Sequence, residues 1–98
     1  MDIQKTKDNS TLTLAVTGRL ETTTAPELEE VIKTELEGIS ELIFDLSGLE
    51  YISSAGLRVI LSAQKKMNLQ GSMKVTGVKD IVMEIFEITG FTDILTIE

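Results

Sequence analysis

At 98 residues the chain is the size of one domain and too short for two ordinary ones. It contains no cysteine and no histidine, which excludes disulfides, thiolate metal sites, thiol nucleophiles and any histidine-based catalytic triad. Its net charge of −7 repels nucleic acid and anionic lipid headgroups and favours a basic face on another protein as partner.

The N-terminus, Met1-Asp2-Ile3-Gln4-Lys5-Thr6-Lys7-Asp8, lacks the apolar core of a signal peptide, and no stretch approaches the length of a membrane span. A soluble, cytoplasmic protein is expected. A short strand around Asp2 to Lys5 is predicted to pair as a hairpin with Thr11–Thr17, where polar and apolar residues alternate. Asp8-Asn9-Ser10 supplies the turn, and Gly18-Arg19 closes the second strand. Thr24-Ala25-Pro26-Glu27 reads as a helix start, with Thr24 as cap and Glu27 as its capping-box partner. Leu28, Val31, Ile32 and Leu36 follow at helical spacing, and Gly38 is the expected stop.

Glu41-Leu42-Ile43-Phe44-Asp45-Leu46 suits a strand buried on both faces. The next helix is predicted from about Ser54 to about Asn68, with Leu57, Ile60 and Leu61 on one stripe and Lys65 and Lys66 in its last turn. Met73–Thr76 is a short strand. Asp80 to Ile88 is a third helix, ended by Gly90, with Ile81, Val82, Ile85 and Ile88 facing inward. Ile94–Ile97 reads as a final edge strand. Strands separated by helices pair in parallel through right-handed crossovers, and the leading hairpin makes the sheet mixed. The expected architecture is one α/β domain: a mixed, mostly parallel sheet of four to five strands with three or more packed helices.

The candidate site is the run from Phe44 to Arg58, which places Ser53 and Ser54 where a helix begins. Serine there is a good N-cap. It is also an exposed hydroxyl at which a phosphate would meet free backbone amides and the positive end of the helix dipole; the two roles are compatible, and Ser54 is expected to fill both. Catalysis by these serines has no support. The only local bases are carboxylates and lysines, and the segment departs from a Gly-x-Ser-x-Gly elbow. No phosphate-binding glycine motif is present, and the carboxylates are dispersed, without EF-hand spacing. Neither a cofactor nor a metal is expected, and the chain does not read as an enzyme. Asp45 ends a central strand, where α/β folds place ligand groups; its other reading is a turn residue accepting amides through Leu46-Ser47-Gly48. Met67, Met73, Met83 and Phe86 are core candidates. Met83 and Phe86 fall off the main stripe of their helix, which leaves them open to a protein interface.

Leu42-Ile43-Phe44-Asp45-Leu46-Ser47-Gly48-Leu49 followed by Tyr51-Ile52-Ser53-Ser54-Ala55-Gly56-Leu57-Arg58 resembles the motif of STAS domains, and more narrowly that of the anti-sigma factor antagonists of bacteria. Gly18-Arg19-Leu20 and Thr24-Ala25-Pro26-Glu27-Leu28 match the segment expected upstream. The resemblance runs along nearly the whole chain, so residues 1–98 are expected to form one STAS domain. It implies partner switching. The unphosphorylated antagonist binds an anti-sigma factor that is also a serine kinase, phosphorylation by that kinase dissociates the pair, and a serine phosphatase resets it. Ser54, two residues before Gly56, occupies the acceptor position. Ser53 stands where many such proteins have aspartate and adds a second hydroxyl. Asp45, Ser53, Ser54, Gly56, Leu57 and Arg58 are the partner-binding residues expected, Asp45, Leu57 and Arg58 from their position near the Ser54 loop. The alternative is a STAS accessory module of a transporter or sensory complex that does not need Ser54 as an acceptor.

Overall fold

The structure, a computed structural model, describes residues 1–98. Strands β1 (Asp2–Asp8) and β2 (Thr11–Leu20) form the expected hairpin, in register from Asp2↔Thr17 to Asp8↔Thr11. Asn9 takes the left-handed conformation, φ 57°, that a tight hairpin turn demands. Along β2, Leu12, Leu14 and Val16 are buried while Thr11, Thr13 and Ala15 face the other side. β2 does not close at Gly18-Arg19 as predicted. A register shift there lets the strand continue to Leu20, because a second parallel partner is waiting for it.

That partner is the element the sequence pattern did not reveal. β3 (Glu41–Asp45) runs parallel to β2, from Thr11↔Glu41 to Ala15↔Asp45. The chain then breaks pairing at Leu46-Ser47-Gly48, and β4 (Leu49–Ile52) resumes alongside β2 from Gly18 to Leu20. Four residues are too few to show a strand period; β4 is extended because β2 offers it a free edge. β5 (Ser72–Thr76) pairs with the far side of β3, so the sheet runs β1-β2-β3-β5 with β4 beside β2.

Helix α1 (Ala25–Glu35) buries Ala25, Leu28 and Ile32 and ends before Gly38. The predicted capping box does not form. The Thr24 hydroxyl is occupied by the preceding loop, donating to the Arg19 carbonyl (2.9 Å) and accepting from the Glu21 amide (2.9 Å). Helix α2 (Ser54–Gln70) buries Leu57, Ile60, Ala63 and Met67 and packs beside α1. It continues past Asn68 to a cap at Gly71, so Lys65 and Lys66 lie before its last turn rather than in it.

Helix α3 (Asp80–Thr89) lies against β4 and ends at Gly90, whose φ of 80° is accessible to glycine at little cost. Its inward face differs from the expected one. Val82 and Phe86 are fully buried, whereas Ile81 and Ile88 are exposed and Ile85 is half-buried. Phe86 also stacks on Phe91 at 6.2 Å. The larger ring takes the core, and the helix rotates to let it. Phe86 is therefore a core residue, and Met83 is half-buried. The expected last strand reduces to one parallel bridge, Val75↔Ile97, after a 3₁₀ turn at Phe91–Asp93. No helix of the structure is long and apolar enough to cross a membrane.

Candidate functional site

β4 delivers the chain to α2 through Ser53, whose extended backbone (φ −99°, ψ 177°) makes the corner. Three bonds hold it. Its amide donates to the Leu20 carbonyl of β2 (2.9 Å), its carbonyl accepts from the Leu57 amide (2.9 Å), and its hydroxyl accepts from the Gly56 amide at 3.5 Å. Ser53 is thus the N-cap, which corrects the assignment of that role to Ser54. The two serines have equal capping propensity, and the anchor to Leu20 decides between them. Ser54 is the first helical residue; it is exposed, and its side chain makes no hydrogen bond.

Gly56 sets the height of the helix above the sheet. A Cβ there would lie 2.7 Å from Leu20 Cγ, 2.9 Å from Ile52 Cγ1 and 3.0 Å from the Leu20 carbonyl oxygen. Gly56 and Leu57 are buried, so they shape the corner from beneath. Arg58 is exposed, one turn beyond Ser54 on the same side of α2. It is in no ion pair.

Asp45 is not brought to this corner. Asp45 pairs with Ala15 and Ile52 with Leu20, five positions apart on β2, roughly 15 Å along a strand. Its carboxylate accepts from the Ser47 amide (3.0 Å) and the Ser47 hydroxyl (2.8 Å). This is the turn-residue reading, and it fixes the break between β3 and β4.

Two features beside Ser54 were not legible from spacing. A groove of about 190 Å³ runs between the starts of α1 and α2, walled by Thr22, Pro26 and Glu29 on one side and Ala55, Arg58 and Val59 on the other. On the strands that lead to the corner, the Arg19 guanidinium sits 4.5 Å from the Tyr51 ring centroid and pairs with Glu21 at 2.8 Å. Arg19 stood in a recognisable motif; its partners depend on the β2–β4 register, which no local pattern encodes. No three acidic side chains gather to hold a metal ion. The corner can present one free hydroxyl, at a helix start with unpaired amides, beside a cation and a shallow groove.

The STAS domain family matches residues 2–98. The chain belongs to the STAS domain family. Among its relatives is the Bordetella bronchiseptica protein BtrV, described as an anti-sigma factor antagonist, which is 33% identical over 99% of this chain and 85% of its own length. The anti-sigma-B factor antagonist of Staphylococcus aureus is 30% identical over 97% of this chain and 90% of its own. Among solved structures, an anti-sigma factor antagonist from Mycobacterium paratuberculosis superposes with a TM-score of 0.88 at 21% identity, covering 98% of this chain and 83% of that one. The Bacillus cell fate determinant SpoIIAA in its phosphorylated form superposes at 0.78 with 14% identity, covering 99% and 91%. A sulfate transporter family protein from Wolinella succinogenes also shares the fold, at 0.77 and 18% identity over 91% and 74%. At these identities the structures speak for the STAS fold alone.

Proposed function

We propose that this STAS domain is an anti-sigma factor antagonist of the bacterial cytoplasm, controlled by phosphorylation of Ser54. The unphosphorylated chain binds an anti-sigma factor that is also a serine kinase; phosphate on Ser54 releases it, and a serine phosphatase restores binding. One observation carries the choice of residue: the Ser54 hydroxyl is exposed and unbonded while that of Ser53 is engaged as the cap. The roles named for BtrV and the Staphylococcus aureus relative support the choice of partner.

The energetics favour a switch that leaves the fold intact. Phosphorylation adds about −1.5 to −2 charges at pH 7. At the first position of α2 the helix dipole favours that charge by about 0.3–2 kcal/mol. Against a partner surface, a like-charge contact or an unpaired buried charge costs several kcal/mol. At about 1.4 kcal/mol per tenfold, affinity falls by roughly 10²–10³. On this reading the domain is a substrate and not a catalyst, and the isolated chain turns nothing over. Ser54, Arg58 and the α1–α2 groove contact the partner, Ser53, Gly56 and Leu57 hold the corner in shape, and Asp45 adds to the surface only through the turn it stabilises.

The test is calorimetric titration of the anti-sigma kinase with the wild-type, Ser54→Ala and Ser54→Asp chains. Ser54→Ala should bind like wild type and Ser54→Asp at least tenfold more weakly. Equal binding of all three would favour the second reading, an accessory module of a transporter, a reading supported by the shared fold of a sulfate transporter family protein.

A further inference from the structure

The helices α2 and α3 each leave one side uncovered, and those sides are opposite in charge. α2 carries Arg58, Lys65 and Lys66 and no acid; α3 carries Asp80, Glu84 and Glu87 and no base. None of these six is in an ion pair: the pairs in the molecule are Lys5–Glu35, Arg19–Glu21, Lys33–Glu29 and Lys74–Glu98. In a chain with 16 acids and nine bases, three cations on one helix, none of them in an ion pair, mark a surface whose partner is acidic.

The same two sides carry three of the molecule's four exposed large apolar residues, the fourth being Ile94 near the C-terminus. Leu69 is 90% exposed, Ile88 78% and Ile81 54%. Arg58, Leu61, Lys65 and Leu69 recur at three- and four-residue steps and so share one side of α2; Ile81, Glu84 and Ile88 do the same on α3. Arg58, Leu61, Ser62, Lys65, Lys66 and Leu69 line a shallow groove of about 440 Å³. At 1.5 Å per residue, Leu61 and Leu69 stand about 12 Å apart along their helix, and Ile81 and Ile88 about 10.5 Å along theirs. Two apolar anchors at similar spacing, flanked by cations on one helix and by acids on the other, are complementary surfaces on a single chain.

We propose that α2 of one copy docks on α3 of a second copy. Leu61 and Leu69 meet Ile81 and Ile88, and Lys65 and Lys66 meet Glu84 and Glu87. The two patches differ, so the contact is head-to-tail, and each dimer keeps one free α2 and one free α3 unless a ring closes. A single pair of helix faces falls short of the roughly 800 Å² per partner of a standard stable interface, so the association is weak and concentration-dependent. Arg58 belongs to the docking stripe and to the Ser54 corner alike. The contact therefore competes with whatever binds that corner, although it does not depend on the function proposed above.

The test is sedimentation velocity of the full chain from micromolar to millimolar protein at fixed ionic strength, with circular dichroism confirming that each variant is folded. The wild type should sediment as species larger than a monomer at the upper end. Lys65→Glu/Lys66→Glu and Glu84→Lys/Glu87→Lys should each lower the apparent association constant about tenfold or more. Mixing the two variants should restore association, because the unaltered α2 of the second meets the unaltered α3 of the first and the two reversed helices complement each other as well. Net charge alone predicts otherwise: the first variant is more negative than wild type and the second less so, so bulk repulsion would weaken one and strengthen the other. A monomeric wild type throughout would overturn the proposal, as would association that survives both reversals, or a mixture that restores nothing. Capture of a foreign acidic protein by α2 of a chain that stays monomeric would overturn it too.

Discussion

Gly56→Ala sets two effects against each other within the candidate site. In an exposed helix the change stabilises by about 0.8–1 kcal/mol, since alanine is the better helix former. Here the new methyl would sit 2.7 Å from Leu20 Cγ, 2.9 Å from Ile52 Cγ1 and 3.0 Å from the Leu20 carbonyl oxygen. Leu20 is 0% exposed and Ile52 1%, so neither can swing clear, and the carbonyl belongs to the β2 backbone that anchors Ser53. Overpacking of this kind costs about 1–3 kcal/mol and can exceed that where backbone must move. With two immobile side chains and a backbone carbonyl in the way, the cost lies in the upper half of that range, about 2–3 kcal/mol, so the packing term wins by about 1–2 kcal/mol, or a fall in Tm of roughly 5–15 °C for a domain of this size. Relief comes by lifting the start of α2 off β4, which displaces Ser54, so phosphorylation by the kinase should slow although the acceptor is untouched. Urea and thermal unfolding followed by circular dichroism read the first effect, and single-turnover phosphorylation the second. A Gly56→Ala protein more stable than wild type would refute the claim that this glycine sets the height of the helix.

Ser53→Ala should cost about 0.5–1 kcal/mol in urea unfolding, the lower part of the capping range given its 3.5 Å bond, whereas Ser54→Ala should stay within about 0.5 kcal/mol of wild type. Once phosphate is on Ser54, the Arg58 guanidinium one turn away favours the dianion and holds the second phosphate pKa below its ordinary value of about 6. Arg58→Ala should therefore shift the ³¹P NMR titration of the phosphorylated chain to higher pH. Asp45→Ala frees the Ser47 amide and hydroxyl it now binds at 3.0 and 2.8 Å and should cost about 0.5–1.5 kcal/mol in the same unfolding assay.

Much of the fold is written locally. The alternation along β2 and the apolar spacing of α1 and α2 each identify their element, and Gly90 ends α3 where a left-handed residue is needed. What local pattern does not encode is settled by contacts between distant segments. β4 exists because β2 runs on to Leu20 beyond the last residue paired with β3. The inward face of α3 is chosen by Phe86 and Phe91 together, against an isoleucine pattern that pointed elsewhere. At the site, the Ser-Ser-Ala-Gly run located the corner correctly. Which serine caps and which is free depends on one bond from the Ser53 amide to Leu20, thirty-three residues earlier. The opposed charges of α2 and α3 can be read from composition, but their exposure cannot, since it rests on how each helix is rotated against the sheet.

The central claim is that Ser54, and not Ser53, is the residue through which the partner is released. Its most direct test is to incubate the chain with the anti-sigma kinase proposed as its partner and ATP, map the phosphate by tandem mass spectrometry and follow the complex by size exclusion. The expected result is phosphate on Ser54, loss of the complex as it accumulates, and a Ser54→Ala chain that stays bound and unlabelled. Phosphate on Ser53 alone, or a complex that persists with Ser54 fully phosphorylated, would contradict it.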